Sequence, residues 1–197
     1  MIDLAAFYRE AVAALIGAVE ALGQREGLYR APQTLLKSAR RRCLNQLRLF
    51  ALILRRLIFL MALSVELAPV APREGRNYFD AEDTASRPRW RGLRLVPSVS
   101  GAFPELLRSL PGVFSPGPAD AAPVIERWGQ LFYALHHRER RARRLARTLQ
   151  RWQAAGEGRP AVRPLEGVHR LTPRLGLIAG AVTARLDMAL GVWPDTG

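Results

Sequence analysis

The sequence predicts an all-α protein, an antiparallel bundle of three to four helices with a long Pro/Arg-rich, partly irregular insertion. Three observations carry this. Apolar residues recur at three- and four-residue steps over several long stretches, which is the helical period. Capping residues, prolines and glycines stand at the ends of those stretches. A single segment, residues 70–123, is instead crowded with Pro, Gly and Arg. At 197 residues and 49% hydrophobic, the chain is long and apolar enough to build one real core. We expect one domain in three parts: an N-terminal helical hairpin over 1–69, the insertion over 70–123, and a basic helix, linker and C-terminal helix over 124–197.

The first helix is expected over residues 4–22, with Asp3 as its N-cap and Gly23 as its stop. Leu4, Tyr8, Val12, Leu15, Val19 and Leu22 form its apolar stripe, and Arg9, Glu10 and Glu20 fall on the other side. The second helix is expected over 33–67, between Pro32 and Pro69. On a helical wheel Arg41, Arg48 and Arg55 lie nearly in one line, flanked by Arg42 and Arg56, opposite Leu44, Leu47, Phe50, Leu54, Leu57 and Ile58.

This second helix contains RLFALILRRLIFLMALSVEL, which has the composition of a membrane span apart from Arg55 and Arg56. Eleven Leu, Ile, Phe or Val residues between Leu49 and Val65 favour insertion by roughly 3–7 kcal/mol, and two central arginines cost roughly 5–7 kcal/mol. The balance is nil or unfavourable, so we expect a central bundle helix and no transmembrane span.

In the insertion, LRLV at 93–96 reads as an extended piece and PELLRSL at 104–110 as a short helix. Tyr78, Phe79, Trp90, Phe103 and Phe114 are candidate anchors, because a structureless loop this long is uncommon in a compact domain. A third long helix is expected over 121–155, capped by Asp120, with Pro123 in its first turn and Gly156 at its end. The last helix is expected over 173–190 behind Thr172 and Pro173, with Leu175, Ile178, Val182, Leu186 and Leu190 as its stripe.

The net charge is +13, from 30 basic and 17 acidic residues, and Lys37 is the only lysine. Residues 124–165 alone carry ten basic and three acidic residues, more than half of the net charge. Such a chain is drawn to polyanions. The strongest local signal is HHRERRARRLARTLQRW at 136–152. Arg140, Arg143, Arg144, Arg147 and Arg151 share about a third of the helix circumference, opposite Val124, Trp128, Leu131, Leu135, Ala142, Leu145, Leu149 and Trp152. A row of guanidinium groups suits a row of phosphates. A solvated face in an arginine-biased proteome is the plain alternative.

Other candidates are weaker. RPRWRGLR at 87–94 interleaves a tryptophan with arginines, a pattern that can stack on a single strand. Asp80, Glu82 and Asp83 lack a calcium-loop pattern. Neighbouring His136 and His137 point about 100° apart on a helix and do not share a metal readily. The single cysteine, Cys43, allows no intramolecular disulfide and reads as a buried thiol. No nucleophile elbow, phosphate-binding glycine loop, dinucleotide fingerprint or zinc-protease motif occurs, so no catalytic residue, metal or cofactor is implied.

The expected function is that of a non-enzymatic, cytoplasmic interaction protein. Its arginines Arg140, Arg143, Arg144, Arg147 and Arg151, with Arg41, Arg48 and Arg55, engage an anionic polymer (DNA or RNA) or an acidic protein. Nucleic-acid backbone read without sequence specificity is foremost. The alternative is a peripheral membrane or assembly-scaffold protein, with the leucine-rich helix or the insertion docked on an anionic lipid surface or a larger complex.

Overall fold

The computed structural model describes residues 4–67, 117–162 and 164–193. Their architecture is all-α, as the sequence predicts: α1 (Leu4–Arg25), α2 (Lys37–Leu63), α3 (Ala122–His136), α4 (Arg138–Ala154) and α5 (Pro173–Leu190). The expected pieces at 93–96 and 104–110, the acidic cluster at 80–83, the RPRWRGLR stretch and the five insertion aromatics lie outside the described residues.

α2 is the hub and packs against each of the other four helices. The reason is visible in its sequence. From Leu47 to Ala62, buried residues occur around most of the circumference: Leu47, Leu49, Phe50, Ile53, Leu54, Leu57, Ile58, Leu60 and Ala62. The stripes of α1 (Val12, Leu15, Val19, Leu22) and α5 (Leu175, Ile178, Val182, Leu186, Leu190) are buried in the same cluster. None of the helices among the described residues is long and apolar enough to cross a membrane.

Three of the expected helices differ in their bounds. α1 runs past Gly23 to Arg25, and the chain turns instead at Gly27, whose φ of 66° is left-handed. Gly23 serves packing: a Cβ there would lie 2.7 Å from Trp128 Cζ2. The Trp128 indole N–H reaches past it to donate to the Val19 carbonyl at 3.0 Å, joining α3 to α1. Next, α2 begins at Lys37, because residues 34–36 form a strand, and it ends at Leu63 rather than at 67, with Ser64 as its C-cap. β1 (Thr34–Leu36) pairs antiparallel with β2 (Pro118–Asp120), in the register Thr34↔Asp120 and Leu36↔Pro118. This small ribbon ties the approaches of α2 and α3 together.

The third difference is the largest. The helix expected over 121–155 is two helices, broken at His137 (φ −102°, ψ 21°). Neither proline nor glycine causes the break. The side chains of His136 and His137 turn back, and each Nδ1–H donates at 2.9 Å to a carbonyl one turn earlier, on Phe132 and Tyr133 respectively. Arg138 Nη1 donates to the Leu135 carbonyl at 3.1 Å. Basic side chains thus cap the exposed carbonyl end of α3.

Of the other expected caps, Asp3 lies outside the described residues, Thr172 and Gly156 stand where the sequence puts them, and Asp120 bonds the first turn of α3 from one residue before its N-cap, Ala121. Asp120 Oδ1 accepts from the Ala122 N–H at 2.9 Å, and Thr172 Oγ1 accepts from the Leu175 N–H at 3.4 Å. α4 ends in a Schellman turn at left-handed Gly156, with the Glu157 N–H on the Trp152 carbonyl and the Gly156 N–H on the Gln153 carbonyl.

Leu54, fully buried on the hub helix, is a sensitive probe of this arrangement. Leu54→Ala is expected to cost about 2–5 kcal/mol, read as a lowered urea midpoint with an unchanged slope.

Candidate anion-binding surface

α4 is held to the core by its short apolar face, Ala142, Leu145, Ala146 and Leu149, all buried. The opposite face carries Arg140, Arg143, Arg144, Arg147 and Arg151, and all five are exposed. Among the described residues none of the five pairs with a carboxylate, whereas arginines elsewhere do. Arg25 meets Glu26, Arg159 meets Asp187 and Arg174 meets Glu10, at 3.2, 2.6 and 3.5 Å. Arg140 to Arg151 covers eleven residues, about 16 Å of helix.

At the break this row widens into an open depression of about 550 Å³, lined by Arg140, Arg143, Arg144 and Arg147 together with His136 and His137. Glu139 also lines it and is placed 3.8 Å from Arg138. Each histidine presents a defined tautomer. A carbonyl only accepts, so Nδ1 carries the proton and Nε2 is the nitrogen left for other partners. The imidazoles stack on their i−4 aromatics, His136 on Phe132 with centroids 6.0 Å apart and His137 on Tyr133 at 4.0 Å. Arg141 sits beside this stack, 5.9 Å from the Tyr133 ring centre. Burial pushes its guanidinium below the usual range, and Arg144 adds to that, while Tyr133 acts in the opposite sense.

Sequence reasoning considered the two histidines only as metal ligands and did not consider Tyr133. Their i, i+4 spacing, Phe132/His136 and Tyr133/His137, is the signal that could have placed them together.

The second row of arginines divides. Arg41 and Arg48 are exposed on α2, but Arg55, one further step along the same line, is half-buried. Its Nε has no hydrogen-bond partner among the described residues, and burial pushes its guanidinium below the ordinary range. Arg56 is also depressed by burial, yet its Nη1 donates to Thr183 Oγ1 on α5 at 2.6 Å. Arg55 therefore has the surroundings of a cation drawn into the core edge. Arg41 and Arg48 have those of a surface.

Cys43 is fully buried, and burial, reinforced by Glu26, raises its thiol above the ordinary range. It is held as the unreactive thiol rather than the thiolate. A smaller depression of about 270 Å³ among Leu4, Leu60, Leu63, Ala189 and Trp193 has Ser64 and Gln153 as its polar side chains. Among the described residues, no three His, Cys, Asp or Glu side chains come together as a metal-ligand set. No protein-family model, curated protein or solved structure matches the chain.

Because Arg55 carries a buried polar atom without an acceptor, Arg55→Met is expected to raise stability by about 1 kcal/mol. Chemical denaturation at neutral pH reads this. A drop would mean that Arg55 has a compensating partner.

Proposed function

We propose that the protein is a non-enzymatic binding protein that engages nucleic-acid backbone, without sequence specificity, through the exposed face of α4. The observation that carries this reading is the row Arg140, Arg143, Arg144, Arg147 and Arg151. These are five exposed guanidinium groups on one face, without carboxylate partners among the described residues. Like charges at i, i+3 and i+4 repel, so the free row is a mild cost to the helix that a polyanion relieves. The mechanism is phosphate neutralisation with release of counterions, which makes affinity fall steeply with salt. Guanidinium forks add bidentate bonds to phosphate oxygens. We place the protein in the cytoplasm on the strength of its single cysteine, which fits a reducing compartment.

The alternative of a scaffold or adaptor has one observation in its favour. Leu177, Met188 and Val192 are exposed along the outer side of α5 and the turn after it. Docking through the leucine-rich helix loses support, since α2 spends its apolar surface on the core.

Replacing Arg140, Arg143, Arg144 and Arg147 together by Gln removes four phosphate contacts. In a duplex titration across a salt series, the slope of log K against log salt is expected to become shallower by roughly 3–4. The circular dichroism melt should hold or rise. An unchanged slope would sink this assignment.

A further inference from the structure

The exposed face of α3 leads directly into the arginine row. Tyr133 is 53% exposed on a helix whose other side packs into the core. Its two sides are dissimilar. On the carboxyl side His137 stacks against it, 4.0 Å away and tilted by 26°, and Arg141 follows at 5.9 Å. Helical side chains lean toward the amino end, so the side of the Tyr133 ring away from His137 is turned toward the preceding turn, which contains residue 129. That residue is Gly129, and a Cβ built there would meet no atom within 4 Å. One face of an exposed aromatic ring is thus backed by an imidazole, and the helix surface one turn before it is open, with no atom of the ring or of a neighbour within 4 Å of a Cβ at 129. The chemistry that continues from it is a row of guanidinium groups without carboxylate partners among the described residues. His137 lies one turn from Tyr133, and the same depression holds Arg140, Arg144 and Arg147.

We infer that this surface takes an unpaired nucleic-acid strand, with a base stacked on the open face of Tyr133 above Gly129 and the flanking phosphates held by Arg140, Arg144 and Arg147. The inference rests on the nucleic-acid reading and narrows it from backbone in general to single strand. A duplex keeps its bases stacked on one another and offers no free face to a tyrosine, whereas an unpaired strand does. Every base has a π-face, so recognition of this kind is tolerant of sequence. Arginines three or four residues apart are about 4.5–6 Å apart along the axis, a spacing suited to successive phosphates of an extended strand. The sugar is not part of the recognition, so a deoxy strand is an adequate probe. Glu126, two turns before Tyr133 and bonded to Gln130 at 3.0 Å, marks where the surface ceases to favour a polyanion.

The test is fluorescence polarisation with the full chain and three labelled probes of equal length: oligodeoxythymidine, the same strand with abasic sites, and a duplex. Wild-type protein is expected to prefer the base-bearing strand over the abasic one by about tenfold. Tyr133→Ala should erase that preference while leaving duplex and abasic affinities in place. Gly129→Leu should erase it too, by filling the space under the ring. Leu is also the better helix former, so the variant should melt no lower than wild type. Equal wild-type affinity for base-bearing and abasic strands overturns base stacking and leaves the phosphate reading intact. A preference that survives both substitutions overturns the assignment to Tyr133. Failure of all three probes to bind at low salt overturns the phosphate reading, and the inference with it.

Discussion

Burial of α2 on almost every side is the constraint on which the rest of the structure depends. A helix with Ile53, Leu54, Leu57 and Ile58 all at or near zero exposure must be enclosed by several neighbours, and four helices do so. Two consequences follow. First, the outer helices need only one apolar stripe each, which leaves their other faces for charge. Second, polar side chains on α2 must find a way out. Arg56 finds Thr183 on α5, while the Arg55 guanidinium has one nitrogen without a partner among the described residues. Both arginines also oppose the only other environment that would accept so apolar a helix, the membrane. The charges that make α2 awkward in a core are the ones that offset its apolar residues against the interior of a bilayer.

The break at His137 sets where the outer charge goes. A single straight helix of residues 122–154 would run about 50 Å, longer than α2, and would leave its far end without a partner. Division into α3 and α4 lets both segments lie against the hub. Contacts on α3 fix the first segment: Trp128 donates to Val19 across the gap left by Gly23, and Tyr29 meets the Trp128 ring edge-on at 4.8 Å. From there Trp128, Phe132 and His136 continue as a chain of ring contacts up to the break, with centroids 5.0 and 6.0 Å apart. The aromatic side of α3 and the arginine side of α4 are thereby joined by two histidines whose Nδ1 atoms are already committed to carbonyls.

The apolar periodicity of this chain was legible because it reports burial, and burial is what holds the bundle. Hence the stripes of α1 and α5, the central place of α2 and the outward face of α4 could be read from residues alone. What could not be read depends on pairings far apart in sequence. Gly23 looks like a helix stop until Trp128, over a hundred residues later, is seen to occupy its space. The β1–β2 ribbon joins residues 34–36 to 118–120, and neither strand has a pattern long enough to declare itself. The break at His137 is made by side-chain bonds to carbonyls, which leave no mark on hydropathy. In the candidate site, the line Arg41–Arg48–Arg55 is straight on a wheel, but a wheel does not say that burial increases along the axis. The first two stay exposed while the third is drawn in.

An arginine-biased composition explains why 29 of the 30 basic residues are arginine rather than lysine. It does not explain placement. Indifferent substitution would scatter arginines among acids, as at Arg25–Glu26, Arg159–Asp187 and Arg174–Glu10, where each cation has an anion within reach. Arg185 is likewise engaged, 4.1 Å above the Phe7 ring. On α4 the pattern reverses: five cations share one face, and Glu139, the one acid of that helix, lies beside Arg138. Segregation of this kind costs helix stability through repulsion at every i, i+3 and i, i+4 step. The buried side of α4, two alanines and two leucines, is a modest counterweight. Fold stability alone would be served better by a glutamate at any of these positions. Among the described residues the row is therefore charge without counter-charge, and the anionic partner we propose for it would complete those electrostatics.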